Sequence, residues 1–264
     1  MTLQYHVKLD DGDVAPSILL PGDPGRVPVI ASFWDEAHEV ASNREYVTYT
    51  GTYLGVPISC TSTGIGAPST AIALEELARV GAKTFLRVGT CGSLQGRAKI
   101  GDVAIFDSAE RHDGASRLYA PIEYPAAAHH EVVTAAIEAA AALGITSHVG
   151  TSFSTDLFYM PHEGFAFGGY QQSWARESLE DARRRGTLAA EMESSVLMVL
   201  TRIWGLRGGA ISVVADDVFA STNEQGEIDA EATFDVGATN MERLAQVGSE
   251  TVRILAEADS AGRV

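Results

Sequence analysis

The sequence predicts an α/β fold in which a largely parallel sheet is covered by helices. Short runs rich in β-branched residues alternate along the chain with longer, alanine-rich amphipathic segments, which is typical of buried strands connected by helices. No internal repeat, low-complexity linker or shift in composition interrupts this alternation. We therefore expect one domain that spans residues 1–264.

The first half of the chain contains most of the predicted strands. Most of these apolar runs end at a glycine or proline turn, and the two runs around Leu54-Gly55 alternate as a hairpin does. The predicted strands are Ser17–Leu20, Val47–Tyr53, Val56–Thr61, Thr84–Val88 and Asp102–Phe106. Helices are expected to begin at Pro24 and Pro68, because proline is favoured in the first turn, and Gly81 is expected to end the second helix.

The second half of the chain is predicted to be mainly helical. The predicted elements are the strands His148–Ser152 and Gly209–Ala215 and the helices Glu131–Leu143, Trp174–Arg185, Ser194–Trp204 and Thr233–Ala258. Ser194–Trp204 is apolar nearly all round, which predicts a buried helix. The segment Phe158–Tyr170 carries several glycines and Pro161, and we expect it to form an irregular, mobile lid.

The charge of the chain excludes some classes of partner. Lys and Arg total 19 against 35 Asp and Glu, so the formal net charge is −16, which disfavours nucleic acid and anionic membrane surfaces. Two cysteines, no apolar leader and no long apolar run predict a cytoplasmic protein without a membrane span. Lysine occurs only at Lys8, Lys83 and Lys99, which fits either codon bias towards arginine or adaptation to high salt.

Several common catalytic motifs are absent from the sequence. Gly64-Ile65-Gly66 begins like a dinucleotide fingerprint, but Ser69 stands where the last glycine should be, so NAD is not expected. His129 and His130 are adjacent rather than at the spacing of metal ligands, and no serine elbow occurs. We therefore expect no metal and no organic cofactor.

Three arginines stand in positions that suit an anion. Arg26 follows a glycine turn at a helix start, Arg44 precedes a strand, and Arg87 lies inside an apolar strand. A buried arginine is costly unless it meets a carboxylate or binds an anion, and the residues leave both interpretations open. Gly22 and the turn 89–92 follow strand ends, where open α/β sheets bind ligands and backbone N–H groups can hold an oxyanion.

Two glutamates flank Met192 where a strand passes into the buried helix. A carboxylate at this place can accept hydrogen bonds from the two hydroxyls of a ribose. It can also act as an acid at the helix N-terminus, favoured by the helix dipole. The second interpretation accounts for one of Glu191 and Glu193 but not for both.

Together these motifs resemble the hexameric nucleoside phosphorylases. The motifs that carry the resemblance are Gly22-Asp23-Pro24-x-Arg26, Ser62-Thr63-Gly64-Ile65-Gly66-x-Pro68-Ser69, Arg87-Val88-Gly89-Thr90-Cys91-Gly92-Ser93 and Glu191-Met192-Glu193. Asp113-Gly114-Ala115-Ser116 and Ala120-Pro121-Ile122-Glu123 are most similar to the uridine phosphorylase branch. The resemblance implies a three-layer fold with a central, mixed, twisted sheet flanked by helices.

The resemblance also implies a reaction and its residues. The reaction is phosphate-dependent cleavage of the N-glycosidic bond of a ribonucleoside to free base and ribose 1-phosphate, with inorganic phosphate as co-substrate. The implied phosphate ligands are Gly22, Arg26, Arg44, Arg87 and Thr90; the ribose ligands are His6, Thr90, Met192 and Glu193; the base ligands are Phe158, His162, Gly92 and Asp216. Of these, Arg87, Glu193 and Asp216 are the implied catalytic residues. The family further implies a hexamer built as a trimer of dimers with shared active sites, in which His6 comes from the neighbouring subunit and reaches the ribose 5′-hydroxyl.

The motifs do not determine which base is bound. Uridine phosphorylases usually bind uracil through a Gln and an Arg, and His162 and Gly164 stand at those positions. Asp216 aligns with the aspartate that protonates purine N7 in purine phosphorylases, although it can equally cap the last strand. A purine or broad-specificity phosphorylase is therefore the main alternative, ahead of a nucleosidase or a non-catalytic nucleoside sensor, which the arginine cluster and Glu193 disfavour.

Overall fold

The computed structural model describes residues 3–159, 167–170, 172–219 and 237–262. The strands formed by these residues are β1 (Ser17–Leu20), β2 (Glu36–Asn43), β3 (Tyr46–Tyr53), β4 (Val56–Thr61), β5 (Thr84–Ser93), β6 (Val103–His112), β7 (Ala126–Ala127), β8 (Ser147–Thr155), β9 (Ala189–Glu191) and β10 (Arg207–Asp217). The helices are α1 (Arg26–Ala31), α2 (Ala67–Arg79), α3 (Ala115–Tyr119), α4 (His130–Ala142), α5 (Ser173–Arg184), α6 (Ser194–Ile203) and α7 (Ala238–Ser260).

All of the described strands join one mixed sheet. Its order is β10-β6-β8-β9-β5-β1-β4-β3-β2, with β7 on β6. Because β10 also pairs with β5, five strands close into a ring from which β1, β4, β3 and β2 extend. Parallel pairing joins β1 to β4 and β5, β5 to β10, and β8 to β6 and β9, whereas the other pairs are antiparallel. The expectation of a largely parallel sheet is therefore wrong, and the mixed sheet implied by the resemblance is confirmed.

Helices cover the sheet on both faces. On one face, α2 and α6 pack their apolar side chains, such as Leu77 and Leu197, against the strands. On the other face, α1, α4 and α7 do the same through residues that include Ile30 and Leu244. This arrangement confirms the predicted three layers. Within the described residues, no helix is both long and apolar enough to cross a membrane.

The sequence predicted most elements but misjudged several of them. Strand β2 was missed because Glu36–Asn43 is a polar, mostly exposed edge strand without apolar alternation. Strands β5 and β6 run on to Ser93 and His112, well past the predicted ends, because pairing with β10 and β8 continues through glycine and polar positions. Much of the predicted lid, residues 160–166, lies outside the described residues.

The carboxyl ends of the parallel strands β1, β4, β5 and β10 meet at one edge of the sheet. The turn after β1 and the loop after β4 are joined by two backbone hydrogen bonds, from Thr63 to Pro21 at 2.9 Å and from Gly64 to Gly22 at 2.9 Å. Gly64 has a φ of +71° there, a backbone conformation that favours glycine. This edge is where open sheets of this class bind ligands.

Candidate active site

A cavity of about 740 Å³ opens at this edge of the sheet. It is lined by the loops that follow β1 and β4, by the carboxyl ends of β5 and β10, by β9 and by the turn that leads into α6. Nine of the site residues predicted from the sequence line it, namely Gly22, Arg26, Arg87, Thr90, Gly92, Phe158, Met192, Glu193 and Asp216. The fold therefore brings together residues that lie up to 194 positions apart in the chain.

A buried ion pair stands at the centre of the cavity. Nη2 of Arg87 lies 2.5 Å from Oε2 of Glu193, and the side chains are 7% and 4% exposed. Burial raises the pKa of Glu193, and the Arg87 guanidinium opposes that rise. Nη1 of Arg87 makes two long contacts of 3.4 Å, to the Leu20 carbonyl and the Thr63 hydroxyl. The buried arginine thus meets a carboxylate, and that carboxylate is the predicted ribose ligand itself.

Glycines allow the main chain to approach the Arg87 guanidinium. A Cβ atom at Gly22 would lie 3.5 Å from Nη2 of Arg87, and a Cβ atom at Gly89 would lie 3.3 Å from its Nε. Nε itself is buried and has no hydrogen-bond partner among the described residues. Glycines on both sides of a cation that has an unused donor suit an oxyanion.

The two glutamates beside Met192 have different partners. Oε2 of Glu191 accepts hydrogen bonds from the backbone N–H groups of Glu193 and Ser194, both at 2.8 Å, so Glu191 is the acid at the N-terminus of α6. Oε1 of Glu193 accepts the N–H of Gly66 at 2.7 Å, and its other oxygen pairs with Arg87. The interpretation as a helix N-terminal acid therefore holds for Glu191 only, and Glu193 faces the cavity.

A second cation lies beside the ion pair. Arg26, in the first turn of α1, lines the cavity and forms neither an ion pair nor a guanidinium hydrogen bond among the described residues. Burial lowers its pKa, an effect that Asp23 opposes and Arg87 increases. Two neighbouring guanidinium groups, only one of them paired with a carboxylate, favour an anionic ligand at this end of the cavity.

Asp216 places at the cavity a carboxyl group with a raised pKa. Burial raises the pKa of Asp216 to about 6, and the charge of Asp217 adds to the rise. The residue follows an irregularity in the pairing of β10 with β5, which turns its side chain towards Gly92. A Cβ atom at Gly92 would lie 2.8 Å from Oδ1 of Asp216 and 2.7 Å from Cγ2 of Val218, so only glycine leaves room there.

Not every predicted ligand reaches this cavity. Arg44 is exposed in the turn between β2 and β3, with a φ of +56°, and it does not line the cavity. His6 does not line it either and bonds instead to Glu76 of α2. The two residues lie close to each other, because Nδ2 of Asn43 donates to the His6 carbonyl at 2.7 Å. Neither residue therefore completes the cavity of its own chain, and their roles as phosphate and ribose ligands stay predictions.

Some lining residues were not anticipated, and one anticipated ligand, His162, lies outside the described residues. Glu45 places a carboxylate at the cavity, although its neighbour Arg44 was the predicted ligand. Thr155 and Leu157 line the cavity near Phe158, and only their position at the end of a strand could have suggested them. His162 and Gly164 lie in the part of the chain that is not described. Among the described residues, no group of three His, Cys, Asp or Glu side chains could hold a metal ion.

Comparison with known proteins identifies relatives over nearly the whole chain. A model of the phosphorylase superfamily matches residues 16–253. A uridine phosphorylase of Thermococcus kodakarensis is 48% identical over 257 residues, which cover 97% of this chain and 88% of that protein. The uridine phosphorylase of Escherichia coli is 38% identical over 96% of each chain, and a guanosine phosphorylase of Halorubrum lacusprofundi is 37% identical over 97% of this chain and 100% of its own. The chain therefore belongs to the phosphorylase superfamily, as its motifs predicted.

Proposed function

We propose that the protein cleaves the N-glycosidic bond of uridine-like ribonucleosides with inorganic phosphate and releases the base and ribose 1-phosphate. The observation that carries the proposal is the buried pair of Arg87 and Glu193. In one cavity, it places a cation that can bind phosphate next to a carboxylate that can accept hydrogen bonds from the two ribose hydroxyls. The relatives named uridine phosphorylase, at 38–48% identity over nearly the whole chain, support the same reaction.

In the proposed reaction, phosphate binds beside Arg26 and Arg87, with the backbone at Gly22 and Thr90 completing the site. A phosphate oxygen forms the new bond to C1′ while the bond from C1′ to the base nitrogen breaks, and that electron pair leaves with the base. Positive charge develops on the sugar in the transition state, and the phosphate dianion stabilises it. The two arginines hold the nucleophile in line, so the enzyme needs no covalent intermediate and no cofactor.

The nucleoside is proposed to occupy the rest of the cavity. Glu193 accepts the 2′- and 3′-hydroxyls of the ribose, which requires its carboxylate to share Arg87 with the phosphate. Met192 packs on the sugar, and Phe158 stacks on the base. Arg87 and Glu193 face both substrates. When phosphate binds Arg87, the Glu193 carboxylate shares that guanidinium and can turn to the ribose hydroxyls, so binding of phosphate favours binding of the nucleoside.

A specific observation supports a second candidate, a purine or broad-specificity phosphorylase. Asp216 lines the cavity, and burial raises its pKa to about 6, which suits a group that donates a proton near neutral pH. A purine leaving group can take that proton at N7, whereas a pyrimidine has no such atom. The Halorubrum lacusprofundi relative is named guanosine phosphorylase, which fits this candidate. The role of His162 in base binding remains a prediction.

The positions of His6 and Arg44 support shared active sites. Both lie outside the cavity of their own chain and beside each other, as expected for residues that complete the cavity of a neighbour. Large apolar side chains are also exposed close to α2, the helix that His6 contacts: Ile65, just before α2, is 79% exposed, and Leu118, in the adjacent α3, is 91% exposed. We infer a dimer that exchanges these residues, and a hexamer formed as a trimer of dimers. We place its action in the cytoplasm, which suits two buried, reduced cysteines.

The test is base release with and without phosphate. Uridine, thymidine, inosine, guanosine and adenosine are each incubated with the enzyme in phosphate buffer and in a phosphate-free buffer, and the base and ribose 1-phosphate are quantified by chromatography. We expect release only with phosphate, with uridine among the best substrates. Equal release in both buffers would identify a nucleosidase, binding without release would identify a nucleoside sensor, and a clear preference for inosine or guanosine would favour the second candidate.

A further inference from the structure

Glu76 is a buried carboxylate outside the cavity that contacts three donor groups of His6 and Val7. It lies on the buried face of α2 with 6% of its surface exposed, where a carboxylate is costly unless donors surround it. The backbone N–H groups of His6 and Val7 donate to Oε2 at 2.9 and 2.8 Å, and Nδ1 of His6 lies 2.7 Å from Oε1. Burial raises the pKa of Glu76, but these hydrogen bonds outweigh burial and hold the pKa below its ordinary value.

The contact with Glu76 determines which nitrogen of His6 carries a proton. A carboxylate only accepts hydrogen bonds, so Nδ1 must be the donor in a contact of 2.7 Å. Nε2 then has no hydrogen-bond partner among the described residues, and the side chain is 28% exposed. The rings of Tyr5 and Tyr46 meet the imidazole edge-on, with centroids at 4.8 and 6.4 Å. The ring is therefore held in one direction with one nitrogen available.

The segment that carries His6 is itself anchored. The side chains of Val7 and Leu9 are fully buried in the core on the α2 side of the sheet, whereas Tyr5 is 69% exposed. The backbone of Gln4 bonds back to Leu9 at 2.9 Å, which closes a tight turn around His6. The imidazole thus lies partly exposed on an anchored turn, where it can contact another molecule.

We propose that Glu76 is a positioning residue which fixes the tautomer and direction of His6, so that Nε2 can bind the 5′-hydroxyl of a nucleoside in a neighbouring subunit. The inference rests on the proposed function, which brings His6 to the cavity of a partner copy. Glu76 does not touch the substrate. Its contribution is to hold the imidazole before binding, which removes the entropic cost of ordering that ring when the nucleoside arrives.

A purely structural role for Glu76 makes a different prediction. If Glu76 only fastened the N-terminal segment, its loss would affect every nucleoside alike, because the oligomer or the fold would be weakened. If it acts through His6, only substrates with a 5′-hydroxyl should respond. The ratio of kcat/KM for uridine to that for 5′-deoxyuridine therefore separates the two roles, since the pair differs in that hydroxyl alone.

The experiment compares this ratio in the full-length oligomer of the wild type, E76Q, H6A and the double variant at saturating phosphate. We expect E76Q to lower the ratio about tenfold, through kcat/KM for uridine, while 5′-deoxyuridine changes little. H6A should lower the ratio at least as far, and the double variant should match H6A, because both act through one contact. E75Q is the matched control, since Glu75 pairs with the exposed Arg79 at 3.0 Å and should leave the ratio unchanged.

Equal losses on both nucleosides, an unchanged ratio in E76Q, or full additivity with H6A would overturn the role of Glu76. If E76Q does not purify as a folded oligomer, E76D keeps the charge but moves it by one methylene, and the same fall in the ratio is expected. An unchanged ratio in folded E76D then overturns the inference. Wild-type cleavage of uridine that needs no phosphate would refute the proposed function first, whereas normal phosphorolysis with an insensitive E76Q refutes the role of Glu76 alone.

Discussion

The ion pair of Arg87 and Glu193 allows a prediction whose size follows from its burial. In R87A, the Glu193 carboxylate loses a counter-charge at 2.5 Å in a site where it is 4% exposed. Removing one partner of a buried pair typically costs about 3–5 kcal/mol. The carboxyl can limit this loss by taking up a proton, which costs about 1.4 kcal/mol for each pH unit above its ordinary pKa of 4.5.

This limit makes the expected loss depend on pH. At pH 7.5 the carboxyl is about 3 units above its ordinary pKa, so protonation in the folded state costs about 4 kcal/mol; at pH 5.5 it costs about 1.4 kcal/mol. The pKa of Glu193 in folded R87A is raised above that of the unfolded chain. The stability of R87A is therefore retained below about pH 4.5 and is lost as pH rises towards the folded-state pKa.

Denaturant unfolding at pH 5.5 and 7.5 measures this difference. Relative to wild type, R87A should lose about 2–3 kcal/mol more at pH 7.5 than at pH 5.5. The double variant R87A/E193Q has no unpaired carboxylate at position 193, so its loss of unfolding free energy relative to wild type should vary little with pH. Phosphorolysis should be nearly abolished in both variants, because phosphate loses its buried ligand.

Two results would refute this reasoning. A deficit of R87A that is the same at both pH values would show that Glu193 does not depend on Arg87 for its charge. Unchanged phosphate-dependent turnover in folded R87A would show that the phosphate subsite lies elsewhere in the cavity.

Three further variants test the remaining subsites. R26A should raise the KM for phosphate about tenfold or more with little change in Tm, since Arg26 is partly exposed and has no ion pair among the described residues; a normal KM would remove it from the phosphate site. G92A should lower the free energy of unfolding by about 1–3 kcal/mol and raise the KM for the nucleoside, because a Cβ atom there meets Asp216 and Val218. Unchanged stability and an unchanged KM would contradict this crowding. D216N should lower kcat/KM for inosine much more than kcat/KM for uridine. In the wild type, kcat/KM for inosine should fall as pH rises above about 6, where Asp216 loses its proton. Equal losses of D216N on both nucleosides would exclude Asp216 as the general acid.

Much of the site was predictable because its residues break local rules. An arginine inside an apolar strand is costly for local structure alone, and the helix dipole accounts for only one of the two glutamates at the helix start. Parallel strands then bring such positions to one edge of the sheet, so Arg87 and Gly22 were expected near one another, and the resemblance implied that Glu193 belongs to the same site. The motifs were also sufficient to predict the family.

Other features could not be read from the chain. Strand β2 is polar because it lies at an edge, and the sheet closes into a ring only through the pairing of β10 with both β5 and β6. Strand pairing between distant segments depends on complementary edges and packing rather than on local pattern, which is why the sheet was expected to be more parallel than it is.

The sequence by itself determined which residue types were available and where strands and helices would place them. Only the tertiary structure decided the partners. It paired Arg87 with Glu193 across 106 positions, left Arg26 without an ion pair among the described residues, and raised the pKa of Asp216 by burial. It also placed His6 and Arg44 outside the cavity of their own chain, beside Glu76 and Asn43. Charge pairing and burial depend on distances between remote segments, and those distances exist only once the chain is folded.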